Sequence, residues 1–195
     1  MTRHVTTVPP EYFDNLYASN PDPWSFETSD YERGKYEATL ASLPRQTYAS
    51  GLEVGCSIGV LTQRLAARCT RLIAVDVAQS ALDAAQARCS GLEHVSFAKA
   101  ALPLDGPPGP FDLVMLSEVI YFFSRSHMAT FASYLRQVLE PGGDVVLVNW
   151  LGATHYPLGG DEAVGLVIEH GQGWLDIVHQ TRTTQYRLDV LRARA

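Results

Sequence analysis

The stretch Glu53-Val54-Gly55-Cys56-Ser57-Ile58-Gly59 closes a short apolar run with an acid and follows it with small residues. Glycines here let the backbone turn through left-handed conformations and let a ligand approach it closely. The spacing is neither the dinucleotide fingerprint G-x-G-x-x-G nor a phosphate loop ending in G-K-[ST], which argues against hydride transfer and nucleotide hydrolysis. An ordinary strand-to-helix turn uses the same residues, so the stretch alone marks a candidate ligand loop and no more. Asp76 strengthens it. It ends the run Leu72-Ile73-Ala74-Val75-Asp76, 17 residues after Gly59. An acid at the tip of the second strand of a parallel sheet is placed to bond ribose hydroxyls. Its plain alternative is a helix cap or a solvated loop acid.

Two further stretches carry polar residues at the ends of apolar runs. Phe111 to Leu116 is a strongly apolar run that passes into Ser117, Glu118, Val119, Ile120 and Tyr121. In open parallel sheets the carboxyl ends of the strands face the ligand crevice, so Glu118 and Tyr121 are candidates for orienting a substrate or taking its proton. His155 and Asp161 are weaker candidates: a lone loop histidine needs no chemical role, and Asp161 suits a helix start with Glu162 in the first turn. Leu139-Glu140-Pro141-Gly142-Gly143 reads as a helix stop before a strand.

These residues need a scaffold that brings strand ends together. Strands are expected at Leu52–Gly55, Leu72–Asp76, Val95–Ala98, Phe111–Leu116 and Asp144–Asn149. Helical spacing lies between them, clearest in Met128, Phe131, Leu135, Val138 and Leu139. This alternation predicts an α/β fold: a doubly wound, mostly parallel sheet with helices on both faces. Trp174–Gln180 and Thr184–Leu191 read as two further strands forming an antiparallel C-terminal hairpin, making seven strands. The chain reads as one domain in three regions: an aromatic-rich N-terminal segment to Arg45, a core over residues 50–150, and residues 151–195 with a loop, a short helix around Val164, Val167 and Ile168, and the closing hairpin. Ser29 or Asp30 is expected to cap a helix bearing Tyr36, Leu40 and Leu43. The aromatic N-terminal segment is expected to act as a lid that orders on ligand binding.

Composition narrows the function classes. With 195 residues, 46% hydrophobic and 18% charged, the chain can build a core without disulfides or a structural metal. The net charge of −6, with no basic run, argues against nucleic acid and anionic membranes as partners. No apolar stretch is long enough to span a bilayer, and residues 1–10 do not have the pattern of a secretory signal. Cys56, Cys69 and Cys89 are odd in number and form no C-x-x-C pair, which reads as free thiols in a cytoplasmic protein. The six histidines never fall at i, i+4 spacing, so no metal site is expected.

Taken in this order, the glycine loop, Asp76, the Ser117-Glu118 strand end and the Pro141-Gly142-Gly143 turn resemble the class I S-adenosylmethionine-dependent methyltransferases over about residues 50–150. Asp22-Pro23-Trp24, Tyr31-Glu32-Arg33 and Lys35-Tyr36 upstream narrow the likeness. So do Val60-Leu61-Thr62, Tyr156-Pro157-Leu158 and Gly160-Asp161-Glu162 further on. Across nearly the whole chain the sequence is similar to the nodulation protein S type, whose rhizobial members N-methylate the free amine of a deacetylated chitin oligosaccharide. At one position it departs from the class: most members carry glycine where this chain has Ser57, and a side chain there leaves the backbone less open to a ligand.

The resemblance implies S-adenosylmethionine as cofactor and a small-molecule acceptor. It implies that Glu53, Gly55, Cys56 and Gly59 line the methionine end, with Ser117 contributing through its backbone. Asp76 and Val77 would hold the ribose and the adenine edge, and Ala101 and Leu102 would flank the adenine. Trp24 and Arg33 would close over the cofactor, Arg33 pairing its carboxylate; the alternative for Arg33 is a surface pair with Glu32 or Glu37. Two other readings stay open: O- or C-methylation of another small metabolite, and a non-catalytic cofactor-binding module.

Overall fold

The computed structural model describes residues 3–195. They fall into two compact units, one of residues 9–101 and one joining residues 102–195 to the leading segment that ends at Val8. The seven strands follow the order β3-β2-β1-β4-β5-β7-β6, a mixed sheet with an antiparallel C-terminal edge.

In the first unit the elements are α1 (Pro10–Ser19), α2 (Asp30–Ala41), β1 (Gly51–Val54), α3 (Val60–Leu65), β2 (Leu72–Asp76), α4 (Gln79–Arg88) and β3 (Val95–Lys99). All three strands are parallel, with Glu53 opposite Ala74 and Asp76 opposite Lys99. Parallel neighbours need a crossover, and α3 and α4 provide the two. The entry to α2 is fixed by Ser29, whose hydroxyl accepts the Glu32 N–H at 3.3 Å. Helix α1 carries Phe13, Leu16 and Tyr17 on one face and begins with Pro10, where the missing N–H costs nothing.

Gly59 ties the loop to the helices. Its φ is +79°, and a Cβ placed on it would lie 2.9 Å from both Cα and Cβ of Ala85 on α4. Both a left-handed backbone and a helix packed against it therefore require glycine. Gly59→Ala is expected to cost about 3 kcal/mol from overpacking and left-handed strain together, read as a lowered denaturant midpoint at unchanged slope. An unchanged midpoint would contradict this packing.

The second unit contains β4 (Phe111–Ser117), a 3-10 turn (Ile120–Phe122), α5 (Arg125–Val138), β5 (Leu139–Trp150), α6 (Gly160–His170), β6 (Leu175–Arg182) and β7 (Tyr186–Ala193). β4 is buried from Phe111 to Leu116, as expected of a parallel strand covered on both faces. Helix α5 buries Met128, Phe131, Ala132, Leu135 and Val138, and Ser124 caps it. Pro141-Gly142-Gly143 does not separate helix from strand as the sequence suggested: β5 already begins at Leu139 and runs through these residues. A register shift against β4 between Phe111 and Leu113 absorbs the extra length, and Gly142 takes φ +76°. The hairpin lies antiparallel on β5 through β7, with β6 outermost. Two buried acids lock it: Asp144 accepts two hydrogen bonds from Arg192, directly opposite on β7, and Asp189 accepts from Arg187 and Gln180. Among the described residues no helix is long and apolar enough to cross a membrane.

Candidate functional site

The first unit builds a cradle at the carboxyl ends of β1 and β2. After Val54 the chain takes left-handed conformations at Gly55 (φ +73°), Ser57 (φ +50°) and Gly59 (φ +79°). Two glycines adopt these at no steric cost, but Ser57 pays roughly 1 kcal/mol. What holds it is Asp76. One carboxylate oxygen of Asp76 accepts the Ser57 N–H at 2.8 Å, and the other accepts the Ala78 N–H at 3.0 Å. A single buried acid thus joins the glycine loop to the turn after β2. Burial pushes the Asp76 pKa up, while the Ala78, Ser57 and Val77 amides oppose that by stabilising the anion.

Glu53 sits beneath the loop and is 2% exposed. Its Oε2 has no hydrogen-bond partner among the described residues. Burial raises its pKa from 4.5 to about 8, with Asp76 adding to the rise and the nearby Thr62 hydroxyl opposing it without a hydrogen bond of good geometry. At neutral pH Glu53 is therefore mostly a neutral acid with a proton to donate. The Cys56 side chain turns into the core against Ala74, Leu82, Ala85 and Phe97, so only its backbone is available to the cradle. Its thiol is pushed well up by burial, which makes it a poor nucleophile.

The N-terminal segment lies on the same loop. Tyr17 packs with Ile58, Ala78 and Ala81, and Phe13, Trp24 and Val60 pack around that cluster. Trp24 stacks on Phe26 at 5.4 Å and meets Tyr17 edge-on at 5.9 Å. The turn carrying Trp24 is tied by Asp22, whose carboxylate accepts the Phe26 and Glu27 N–H groups. Arg88 closes the underside by donating to the Ile58 carbonyl at 2.9 Å. Arg33 is exposed and pairs with Asp30 at 2.8 Å, in place of the Glu32 or Glu37 partners weighed from sequence. The buried cation of α2 is Lys35, paired with Glu32 at 2.9 Å. Val77 and Ala101 are half-buried.

The second unit holds a different cluster at the end of β4. Glu118 has φ +61°. Its Oε2 accepts the Trp150 N–H at 2.9 Å and the Tyr121 hydroxyl at 2.8 Å. Tyr121 stacks on Tyr156 with ring centres 5.6 Å apart and planes 6° from parallel, and Phe122 meets Tyr156 edge-on at 4.4 Å. Beside Trp150, Asn149 is fully buried with neither amide atom hydrogen-bonded. Leaving such an amide unpaired costs about 1–3 kcal/mol. Ser117 is half-buried and Leu102 is buried in this unit. Asp161 stands in the first turn of α6 and pairs with Arg182 at 2.6 Å and Arg187 at 3.5 Å; the Arg182 hydrogen bond holds its pKa down. His155 is exposed and touches the leading segment through its carbonyl, which accepts the His4 N–H.

Sequence reasoning gave no site role to Tyr156, Trp150 or Asn149, and Tyr17 lay only within the aromatic N-terminal segment expected to form a lid. Tyr17 and Tyr156 are brought to the clusters by long-range contacts that no spacing rule encodes. For Glu118 there was a signal, a polar residue following a fully apolar strand.

The family model described as Nodulation protein S matches residues 15–184. A nodulation protein S of Rhizobium tropici is 32% identical over 127 residues, which is 64% of this chain and 53% of that protein. The chain thus spans about half the length of this relative and of a second one from Bradyrhizobium diazoefficiens. The crystal structure of the N-methyltransferase NodS from Bradyrhizobium japonicum WM9, in complex with S-adenosyl-L-homocysteine, superposes with TM-score 0.82 at 28% identity. It covers 93% of this chain and 100% of that one. A putative methyltransferase from Pseudomonas syringae gives TM-score 0.73 at 28% identity, covering 83% and 98%. With a seven-stranded methyltransferase fold and a family match over most of its length, the chain belongs to the nodulation protein S family.

Proposed function

We propose that the protein is an S-adenosylmethionine-dependent methyltransferase acting on the amine of a small, sugar-like acceptor. The observation that carries the cofactor half is the cradle around Asp76: a left-handed loop pinned by one buried carboxylate, above a Glu53 oxygen that no group among the described residues satisfies. These residues fit the cofactor's chemistry. Asp76 uses one lone pair on each oxygen for a backbone amide, leaving acceptor capacity for ribose hydroxyls. Glu53, neutral at pH 7, brings a donor under the loop. Gly55, Cys56 and Gly59 offer backbone, and Val77 and Ala101 offer apolar surface for the adenine. Trp24 covers the loop. Arg33, which would pair the carboxylate, must first leave Asp30. When bound, the cofactor supplies an electrophilic methyl group on a sulfonium, and the chain's part is to position, enclose and dry the site.

For the acceptor, Glu118 and Tyr121 act as a fixed pair. The Tyr121 proton is spent on Glu118, so its oxygen presents lone pairs to an incoming N–H. The Glu118 carboxylate, anchored by the Trp150 amide, adds a field that favours a cationic or partly cationic amine. The face-to-face Tyr121–Tyr156 pair gives a flat apolar wall suited to a sugar ring. The similarity to an N-methyltransferase supports amine over hydroxyl or carbon acceptors. Ser117 contributes backbone at the same strand end.

The test is methyl-labelled cofactor with glucosamine oligomers, their N-acetylated forms, and hydroxyl-only sugars. Label is expected only in acceptors with a free amine; label only in hydroxyl or carbon acceptors would overturn the amine assignment. Tyr121→Phe is expected to lower kcat/KM for the amine about tenfold, and Glu118→Gln about 100-fold, with cofactor affinity kept. Unchanged kcat/KM in both would contradict their assigned roles.

A further inference from the structure

The departure from glycine at Ser57 has a partner in the fold. Ser57 is 8% exposed, and its Oγ accepts the Tyr17 hydroxyl at 2.5 Å; Tyr17, on α1, is 6% exposed. Burial and the nearby Asp76 charge raise the Tyr17 pKa well above the ordinary phenol range, so this proton stays on the phenol at any physiological pH. The bond runs from Tyr17 to Ser57, the phenol donating and the serine oxygen accepting. A serine hydroxyl also has a proton to give, and among the described residues no group accepts it. The Ser57 N–H is already committed to Asp76. A side chain that costs left-handed strain, held from the N-terminal helix, thus points its remaining donor capacity nowhere within the protein.

Resting on the cofactor reading above, we infer that Tyr17 and Ser57 form a two-hydroxyl relay for binding the cofactor. Tyr17 sets the rotation of the Ser57 hydroxyl, and Ser57 gives its proton to an oxygen of the ligand's amino-acid end. Ser57 is the binding residue and Tyr17 the positioning residue. The relay explains how this chain tolerates a side chain where a bare backbone usually serves: the lost openness is offset by a donor. It also couples helix α1 to occupancy, because a hydroxyl polarised by one bond makes a stronger second one. Trp24, packed on the same cluster, then follows α1.

A double-mutant cycle tests this: wild type, Tyr17→Phe, Ser57→Gly and the double variant, each titrated with S-adenosylhomocysteine by fluorescence and checked for folding by thermal melting. Tyr17→Phe is expected to weaken binding about fivefold, the size of one neutral hydrogen bond, with a larger effect on the cofactor KM than on kcat. Ser57→Gly is expected to weaken it by a similar factor and to lower the melting temperature, because the buried Tyr17 hydroxyl loses its acceptor and that outweighs the relieved strain. The double variant is expected to match Ser57→Gly alone within twofold, because Tyr17 has nothing left to position. Effects that multiply, or a Tyr17→Phe protein that binds like wild type, would overturn the relay. Failure of the wild type itself to bind would overturn the cofactor reading, and the relay with it.

Discussion

Asp76→Ala is expected to weaken S-adenosylmethionine binding at least about 100-fold and to lower stability by about 2–4 kcal/mol. Both effects come from one carboxylate. In the folded protein it satisfies the Ser57 and Ala78 amides. Alanine leaves both N–H groups buried and unpaired, at about 1–3 kcal/mol each before the chain relaxes. Relaxation releases Ser57 from φ +50°, a conformation it holds at a cost, so the loop is expected to leave its ligand-ready shape as well as lose the ribose contact. Asp76→Asn separates the two. Its amide oxygen keeps one backbone bond while its NH2 group faces the other N–H, so only part of the stability should return. Ribose recognition by a charged acceptor should not, leaving affinity about tenfold or more below wild type. Equilibrium dialysis with labelled cofactor, beside urea melts of all three proteins, distinguishes the outcomes. If Asp76→Ala binds like wild type, the cradle is not the cofactor site.

The second large effect belongs to Glu53. Its folded pKa is about 8 against an ordinary 4.5. The folded state therefore keeps a proton that the unfolded chain has lost between these values. Below pH 4.5 both states are protonated and Glu53 carries no penalty. As pH rises from 4.5 towards 8, stability falls by about 1.4 kcal/mol per pH unit, and the loss levels off above 8 at no more than about 5 kcal/mol. Glu53→Gln has the same shape and cannot ionise. It is expected to match wild type near pH 5 and to be more stable by a few kcal/mol at pH 8. Denaturant midpoints of both proteins across this range provide the measurement, and a gap that stays constant with pH would contradict the burial of an ionisable acid here.

These effects also show what the sequence makes visible. Glycines at 55 and 59 and an acid at 76 reflect backbone demands, a left-handed turn and unpaired amides, that only a few residue types can meet. Such demands leave a pattern in one dimension. The strands are legible for a similar reason: Phe111 to Leu116 is covered on both faces, so the whole run is apolar. Where the fold departs from the expectation, tertiary contacts outweigh local chemistry. Pro141-Gly142-Gly143 has the residues of a stop, yet a shifted register lets β5 run through it. Helix α1 has an apolar face in Phe13, Leu16 and Tyr17, but the Ile58 cluster which that face meets is set by tertiary contacts alone. Arg33 was paired by spacing with acids at 32 and 37, while the helix places Asp30 one turn before it. The contacts between Tyr17 and Ser57, 40 residues apart, and between Tyr121 and Tyr156 arise from the folded chain alone.

The central claim is that the loop from Glu53 to Gly59, with Asp76, is a cradle for S-adenosylmethionine. Calorimetric titration of the wild-type chain with S-adenosylmethionine, S-adenosylhomocysteine and, as a control, NAD tests it most directly. The account predicts one site per chain with micromolar affinity for the first two ligands and none for NAD. Binding of NAD, or of neither sulfur ligand, would contradict it.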